Sequence, residues 1–143
     1  ERVVAAAKFV GAHDFIQRLP AGYDTRLSER GGGLSAGQRQ LISIARDMIR
    51  NPRLLVLDEA TSALDGVAEQ ALLANIKRAS RGRTVIMVTH RLGALAIADR
   101  VLFLSGGRVL RAGAPGEIAN FVAGRLQTRP MPDFPPHVRP API

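Results

Sequence analysis

The 143-residue sequence has no cysteine, no tryptophan and few aromatic residues of any kind. The lack of cysteine excludes disulfides and thiolate metal sites, and it fits a reducing compartment. No run of 18 or more apolar residues occurs, so no transmembrane helix is predicted. Aromatic residues, at 4%, are too few for stacking on single-stranded nucleic acid. We therefore interpret the net charge of +8 as a solvated basic face and expect no nucleic-acid partner.

A phosphate-binding P-loop is also missing from the sequence. Its motif, G-x-x-x-x-G-K-[ST], requires a lysine that reaches the terminal phosphates. The chain has only two lysines, Lys8 and Lys77, and neither lies in such a motif. Residues 31–46 nevertheless read GGGLSAGQRQLISIAR, in which glycines and a serine precede a helical pattern. This composition suits phosphate binding at a helix N-terminus, but the turn must work without a lysine of its own.

The first part of the chain is predicted to be helical. Apolar residues at helical spacing indicate one or two short helices within residues 1–19, followed by a loop rich in glycine. A longer helix begins after Ser35, because Ser35 and Gln38 form an S-x-x-Q capping box. Pro52 is expected to end this helix, since the residue before a proline avoids helical geometry.

Strands and helices alternate in the second part. The apolar runs at 54–57 and 84–88 predict two strands of a parallel sheet that is covered on both faces. A helix over residues 66–79 separates them, and its inward side is predicted to carry Val67, Ala71, Leu72 and Ile76. A short helix, a hairpin at Gly106–Gly107 and a last helix near Pro115 follow. This order predicts an α/β fold in which helices precede a mostly parallel, incomplete sheet with flanking helices.

Polar residues follow both predicted strands at the point where each strand ends. Asp58 and Glu59 follow the first strand, and Thr89 and His90 follow the second. Ligands of open parallel sheets bind at this carboxyl edge. An acidic pair there can hold Mg²⁺ through water and polarise an attacking water. A solvated strand end explains the acidic pair equally well, and for His90 alone a structural role is the simpler reading.

Four segments together resemble the nucleotide-binding domain of ABC ATPases. LSAGQRQ (34–40) resembles the signature motif, with Ala36 where glycine is commonest, and LLVLDEATSALD (54–65) resembles the Walker B strand followed by the D-loop. His90 stands where the family has its switch histidine. LPAGYDTRLSERGGG resembles the X-loop region of exporters, with Ser28 in place of a glycine. The resemblance covers roughly residues 1–124 and is to the exporter class, with bacterial type I secretion exporters as one candidate lineage.

The resemblance implies a role for each matching residue. Glu59 would act on the attacking water, His90 would sense the γ-phosphate, and Asp58 would hold Mg²⁺ through water. The signature residues would grip ATP that is bound by the P-loop of a second nucleotide-binding domain: Leu34, Ser35, Ala36, Gly37 and Gln38. The D-loop residues would lie at the interface between the two domains: Ser62, Ala63, Leu64 and Asp65. The X-loop residues would couple the motor to the transmembrane domain: Thr25, Glu29, Arg30 and Gly31.

The resemblance also divides the chain into three parts. Residues 1–50 would be the helical subdomain with the X-loop and the signature motif. Residues 51–124 would carry the Walker B, D-loop and H-loop part of the ATPase core. Residues 125–143 hold six of the nine prolines and are expected to be a disordered tail.

The implied function is that of the motor domain of an ABC exporter, on the cytoplasmic face of the cell membrane. It would use ATP and Mg²⁺ and would couple head-to-tail dimerisation to transport. Because the family places its P-loop upstream of these motifs, we expect residue 1 to be an internal start and the chain alone to be inactive. Two alternatives remain open: a soluble ABC-type ATPase of DNA repair or translation, and a truncated domain that only associates.

Overall fold

A computed structural model describes residues 1–28 and 31–127 of the chain. Glu29 and Arg30 of the predicted X-loop lie outside the described residues, as does the predicted disordered tail from residue 128 onward. The described residues form two compact units, with the boundary between residues 98 and 99. No helix within the described part is both long enough and apolar enough to cross a membrane.

The first unit combines helices with a pair of parallel strands. Its main elements are α1 (Arg2–Val10), α2 (His13–Gln17), α3 (Ala36–Ile49), β1 (Leu54–Asp58), α4 (Gly66–Ala79) and β2 (Thr84–Val88). Two short 3-10 helices, Gly22–Asp24 and Leu92–Ile97, lie in the connections. The prediction of one or two short helices within residues 1–19 is confirmed, and there are two, α1 and α2.

The start of α3 has the predicted capping box. The Gln38 N–H donates to Ser35 Oγ at 3.1 Å, and the Ser35 N–H donates to Gln38 Oε1 at 2.9 Å. These two bonds satisfy backbone donors that the first turn of a helix leaves without partners. At the other end, α3 ends at Ile49, and Asn51 adopts a left-handed conformation (φ 47°) before Pro52.

One hydrophobic core runs through the first unit. α1 packs on α3 and α4, and the inward side chains of β1 join the same cluster. The cluster draws buried residues from both sides of residue 50: Ala6, Ala7, Val10, Ala12, Ile16, Leu41, Ile44, Ala45, Leu55, Leu57, Ala60, Leu64, Leu72 and Ile76. The division of the chain at residue 50 stays a prediction from the resemblance.

The sheet of the first unit is parallel, as predicted, but only one of its faces is covered. β1 and β2 pair in register from Leu54–Thr84 to Asp58–Val88. Leu55 and Leu57 point into the core, whereas Leu54 and Val56 are 54% and 56% exposed. The prediction that both faces are covered is therefore wrong for the described residues. Side chains alternate along a strand, and the helices of this unit cover only one of the two faces.

The inward side of α4 also differs from the prediction. Leu72, Leu73 and Ile76 are buried, whereas Val67 is 82% exposed and Ala71 is exposed too. Each residue turns a helix by about 100°, so the three buried residues share one side and the other two fall opposite. Apolar character alone placed Val67 and Ala71 inward, but the contact with the core selects the other face.

The second unit is a hairpin that packs on the last helix. β3 (Val101–Ser105) and β4 (Arg108–Gly113) are antiparallel, and α5 (Pro115–Gln127) packs on both strands. Gly106 and Gly107 have φ values of 57° and 71°, which two-residue hairpin turns of the I′ type require. The hairpin prediction is thus confirmed. α5 continues through residues 125–127, which composition had assigned to the tail.

Candidate functional site

The two predicted strand-end groups meet at one edge of the parallel sheet. Because β1 and β2 are in register, Asp58 lies opposite Val88, and the Glu59 N–H donates to the Val88 carbonyl at 2.9 Å. Glu59 Oε1 lies 3.0 Å from His90 Nδ1. Both side chains are open to solvent, with 43% of Glu59 and 76% of His90 exposed. An ionised carboxylate can only accept, so His90 Nδ1 carries the proton in this contact.

The backbone of Glu59 adopts a conformation that is rare outside glycine. Its φ is 48°, and the left-handed region costs about 1–2 kcal/mol for a residue with a Cβ atom. Beside the bond to Val88, the Glu59 carbonyl accepts from the Ser62 N–H at 3.0 Å and from Gln40 Nε2 at 2.9 Å. Three hydrogen bonds therefore hold the peptide units on either side of Glu59, and they offset the cost of its conformation.

Asp58 ends β1 with an exposed carboxylate. It borders a shallow cleft between β1 and α3 that Ser43 and Asp47 also line. Within the described residues no group of three or more acidic or histidine side chains could hold a metal ion. Magnesium does not need three protein ligands, since it is often bound by one or two carboxylates together with water and substrate phosphates. A single open carboxylate at the sheet edge fits that donor set.

Residues 59–65, here called the 59–65 loop, connect β1 to α4. Thr61 and Leu64 are buried, while Ser62 and Ala63 are exposed. Asp65 ends the loop as the N-cap of α4, where its Oδ1 accepts from the Ala68 N–H at 2.9 Å. The predicted interface residues thus lie in an anchored loop, and the Asp65 carboxylate has a structural role within its own chain.

The start of α3 lies directly against the 59–65 loop. A Cβ atom at Gly37 would come within 2.7 Å of the Ala63 carbonyl oxygen, so only glycine fits at this close approach. Leu34 is buried, whereas Ser35 and Ala36 are exposed at the helix N-terminus. Two of the predicted segments, 34–38 and 62–65, are therefore in contact. Ser35 is both a cap of its own helix and open to a ligand.

The described part of the predicted X-loop is a compact turn. The Ala21 N–H donates to Thr25 Oγ1 at 3.1 Å, and Tyr23 OH lies 2.8 Å from His13 Nδ1 on α2. Desolvation, followed by the charge of Asp14, raises the pKa of Tyr23 above its ordinary value. Gly31 has a φ of 70° at the far side of the loop. Glu29 and Arg30 are outside the described residues.

Three residues that hold the site together were not predicted from the sequence: Gln40, Glu69 and Arg91. Gln40 bonds to the 59–65 loop at two points, and Arg91 bonds to it at the Ser62 carbonyl (3.1 Å). Arg91 also pairs with Glu69 of α4, whose side chain is only 14% exposed. Gln40 is the last residue of LSAGQRQ, and Arg91 follows His90 directly. No local sequence pattern predicts the bonding partner of either residue. The position of Glu69 on the buried side of α4 was the one sequence feature that indicated a basic partner.

A parallel strand pair with Asp58, Glu59 and His90 at its carboxyl edge, beside a glycine-bearing helix start, is the arrangement expected of an ABC-type ATPase domain. The family model described as ABC transporter matches residues 3–62. The predicted resemblance is thus confirmed: over most of its length the chain is similar to ABC transporter ATP-binding proteins.

Individual relatives agree with this assignment. The chain is 54% identical over 127 residues to the cyclolysin secretion/processing ATP-binding protein CyaB of Bordetella pertussis, which covers 89% of this chain. It is 48% identical over 118 residues, or 82% of this chain, to the leukotoxin translocation ATP-binding protein LktB of Mannheimia haemolytica. The chain spans about a fifth of the length of these curated relatives, 18% and 17% respectively.

A solved structure shows the same fold. A bacterial Atm1-family ABC exporter with ATP bound superposes with a TM-score of 0.79 at 38% sequence identity. The match covers 92% of this chain and 24% of that chain. The predicted fold class is therefore confirmed: an α/β part of an ABC ATPase domain with an incomplete sheet.

Proposed function

We propose that the chain is the C-terminal part of the ATP-hydrolysing motor domain of an ABC exporter, with residues 1–50 as its helical subdomain and 51–124 as part of the ATPase core. The observation that carries the proposal is the 3.0 Å contact between Glu59 and His90 beside Asp58 at the sheet edge. A carboxylate that is open to solvent and oriented by a histidine suits a general base for water. The names of the relatives, which concern secretion, translocation and export, support the exporter class.

In this proposal each edge residue has a separate task in hydrolysis. Glu59 accepts a proton from the attacking water, and His90 holds the Glu59 carboxylate and contacts the γ-phosphate through its imidazole. Asp58 holds Mg²⁺ through water, and when bound the ion would neutralise the charge of the phosphates. The backbone bonds of Glu59 keep the carboxylate at the edge before ATP arrives, so that less reorganisation is needed at the reaction step.

The turn at 34–38 acts on a nucleotide held by a second nucleotide-binding domain, which supplies the P-loop and its lysine. The N-terminus of α3 carries partial positive charge and unpaired N–H groups, and Ser35 adds a hydroxyl. Capping and phosphate binding compete for Ser35 Oγ, so each role belongs to a different nucleotide state. The loop Ser62–Asp65 lies against this turn and faces the same partner.

Coupling to transport is assigned to the X-loop. Thr25, Glu29, Arg30 and Gly31 would contact the intracellular ends of the membrane helices, as the resemblance to exporters implies. The domain would then act at the cytoplasmic face of the cell membrane with a transmembrane domain as its partner. The compact turn at Thr25 gives this loop a fixed base on the helical part of the domain.

Complementation between two inactive variants of the complete protein tests the composite site. One variant has its P-loop lysine changed, and the other carries Ser35→Arg, which removes the hydroxyl and adds bulk at the helix start. Each homodimer should be inactive. A mixed dimer concentrates both lesions in one site and leaves the other site intact, so mixing should restore ATP hydrolysis.

Crosslinking provides the control for this experiment, because it detects the composite site even where one intact site does not turn over without the other. Cysteines placed at Ser35 and in the P-loop should form a disulfide between two chains. Crosslinks found only within single chains, together with no restored activity, would contradict a composite site.

A further inference from the structure

The side chain of Gln40 connects three parts of the site. It lies half-buried near the start of α3, where its Nε2 donates to the Glu59 carbonyl at 2.9 Å. Its Oε1 accepts from the Ala63 N–H at 3.2 Å. One carboxamide thus joins α3 to Glu59 and Ala63 of the 59–65 loop.

The orientation of this carboxamide is fixed by its partners. A backbone carbonyl can only accept and a backbone N–H can only donate, so the amide nitrogen must face Glu59 and the oxygen must face Ala63. Together with the Ser62 N–H, Gln40 fills both lone pairs of the Glu59 carbonyl. The peptide that follows Glu59 therefore cannot turn without losing two hydrogen bonds.

This peptide matters because Glu59 has a φ of 48°. A residue with a Cβ atom leaves the left-handed region when the surrounding contacts no longer hold it there. Relaxation of the backbone would swing the Glu59 carboxylate away from His90, which it now contacts at 3.0 Å. Loss of the Gln40 carboxamide would also free the Ala63 N–H and loosen the loop against Gly37.

We propose that Gln40 is a positioning residue for ATP hydrolysis, which holds Glu59 in its left-handed conformation and sets the 59–65 loop at the same time. The inference rests on the proposed function. In a head-to-tail dimer, the turn at 34–38 serves the nucleotide of one composite site and Glu59 serves that of the other. Gln40 then links the two sites through one side chain, so that movement of the α3 start reaches the catalytic carboxylate.

Two substitutions in the complete ATPase separate the two bonds of Gln40. Gln40→Met keeps the length and the shape but removes both bonds. Gln40→Glu keeps an acceptor for the Ala63 N–H but replaces the donor to Glu59 by a carboxylate oxygen. Gln70→Met and Gln70→Glu are matched controls, because Gln70 is exposed on α4. The measurements are kcat and KM for ATP, hydrogen exchange of the Ala63 amide, and the melting curve.

Both Gln40 variants should lower kcat by about 10–100-fold, because a displacement of about 1 Å in a catalytic group costs roughly 100-fold. KM for ATP should change by less than about twofold, since Gln40 is not expected to contact the nucleotide. The Ala63 amide should exchange roughly 5–10-fold faster in Gln40→Met, which corresponds to the loss of one hydrogen bond, and near the wild-type rate in Gln40→Glu. The Gln70 variants should match the wild type.

Three results would overturn the positioning role: a kcat for Gln40→Met within twofold of wild type, a matching fall in kcat for Gln70→Met, or the loss of a cooperative melting transition. If the wild-type protein does not hydrolyse ATP, the proposed function fails instead. Exchange at Ala63 still decides the contact in that case, because unchanged exchange in Gln40→Met would exclude the bond.

Discussion

His90 and Arg91 are neighbours in the chain, and each pairs with a glutamate, but their surroundings are opposite. The His90–Glu59 pair lies at the open edge of the sheet, with 76% and 43% of the side chains exposed. The Arg91–Glu69 pair lies against α4, with 29% and 14% exposed. Arg91 also donates to the Ser62 carbonyl, whereas the imidazole of His90 makes one hydrogen bond within the described residues.

Two adjacent positions in the chain therefore have different roles. The His90–Glu59 pair is open for reaction, whereas the Arg91–Glu69 pair supports the fold. Even a charged pair at an exposed site contributes only about 0–1 kcal/mol to stability, so the open contact between Glu59 and His90 can be exchanged for a ligand at little cost. A pair with most of its surface removed from water is costly to break, because each partner left alone is a desolvated charge. We therefore expect changes in the first pair to alter turnover and changes in the second to alter stability.

The largest expected effect is on turnover in Glu59→Gln. The amide cannot take a proton from water, and loss of a general base typically lowers a rate by about 10²–10⁴-fold. ATP binding should persist, and the midpoint of unfolding should move little because the side chain is exposed. Turnover is measured as steady-state ATPase activity of the complete protein, and ATP binding is measured at equilibrium. A rate within a few-fold of wild type would remove Glu59 from the role of base.

The second effect is on stability in Arg91→Met. Glu69 Oε1 is already buried without a hydrogen-bond partner in the described part of the chain, so this change leaves the whole carboxylate unpaired. We expect a loss of about 2–3 kcal/mol, between that of a charged hydrogen bond and that of a fully buried pair. Unfolding in urea measures this change in the free energy of unfolding.

Two controls sharpen this measurement. His90→Met changes the neighbouring position in the same way and should cost less than about 1 kcal/mol. Arg91→Met combined with Glu69→Met should recover most of the loss, because no buried charge then remains unpaired. Equal destabilisation by His90→Met and Arg91→Met would contradict the contrast between the pairs.

Features with a short sequence period could be predicted in detail. Ser35 and Gln38 are three residues apart, and their capping box is present as expected. Asp58 and His90 could be assigned to one edge because apolar runs precede both and the carboxyl ends of parallel strands coincide. The Gly106–Gly107 turn likewise follows from local conformational preference.

Features that depend on distant partners could not be predicted in this way. Gln40 bonds to residues 19 and 23 positions away, and Arg91 bonds to Ser62 29 positions away. No periodicity encodes such contacts, since they arise from packing. The same reason explains the errors at Val67 and at the outer sheet face: hydrophobicity shows that a residue can be buried, but the neighbouring elements decide whether it is.

The uncovered sheet face has a consequence for how copies of the chain behave in solution. The exposed apolar residues of this face favour association between copies: Leu54, Val56, Ile86 and Val88. The net charge of +8 makes separate copies repel one another. This repulsion is screened over about 10 Å at 0.1 M salt and about 3 Å at 1 M salt. We therefore expect the isolated chain to remain dispersed at low ionic strength and to form particles as salt is added. Light scattering during a salt titration would detect them, and scattering that falls with salt would show that charge does not control colloidal stability.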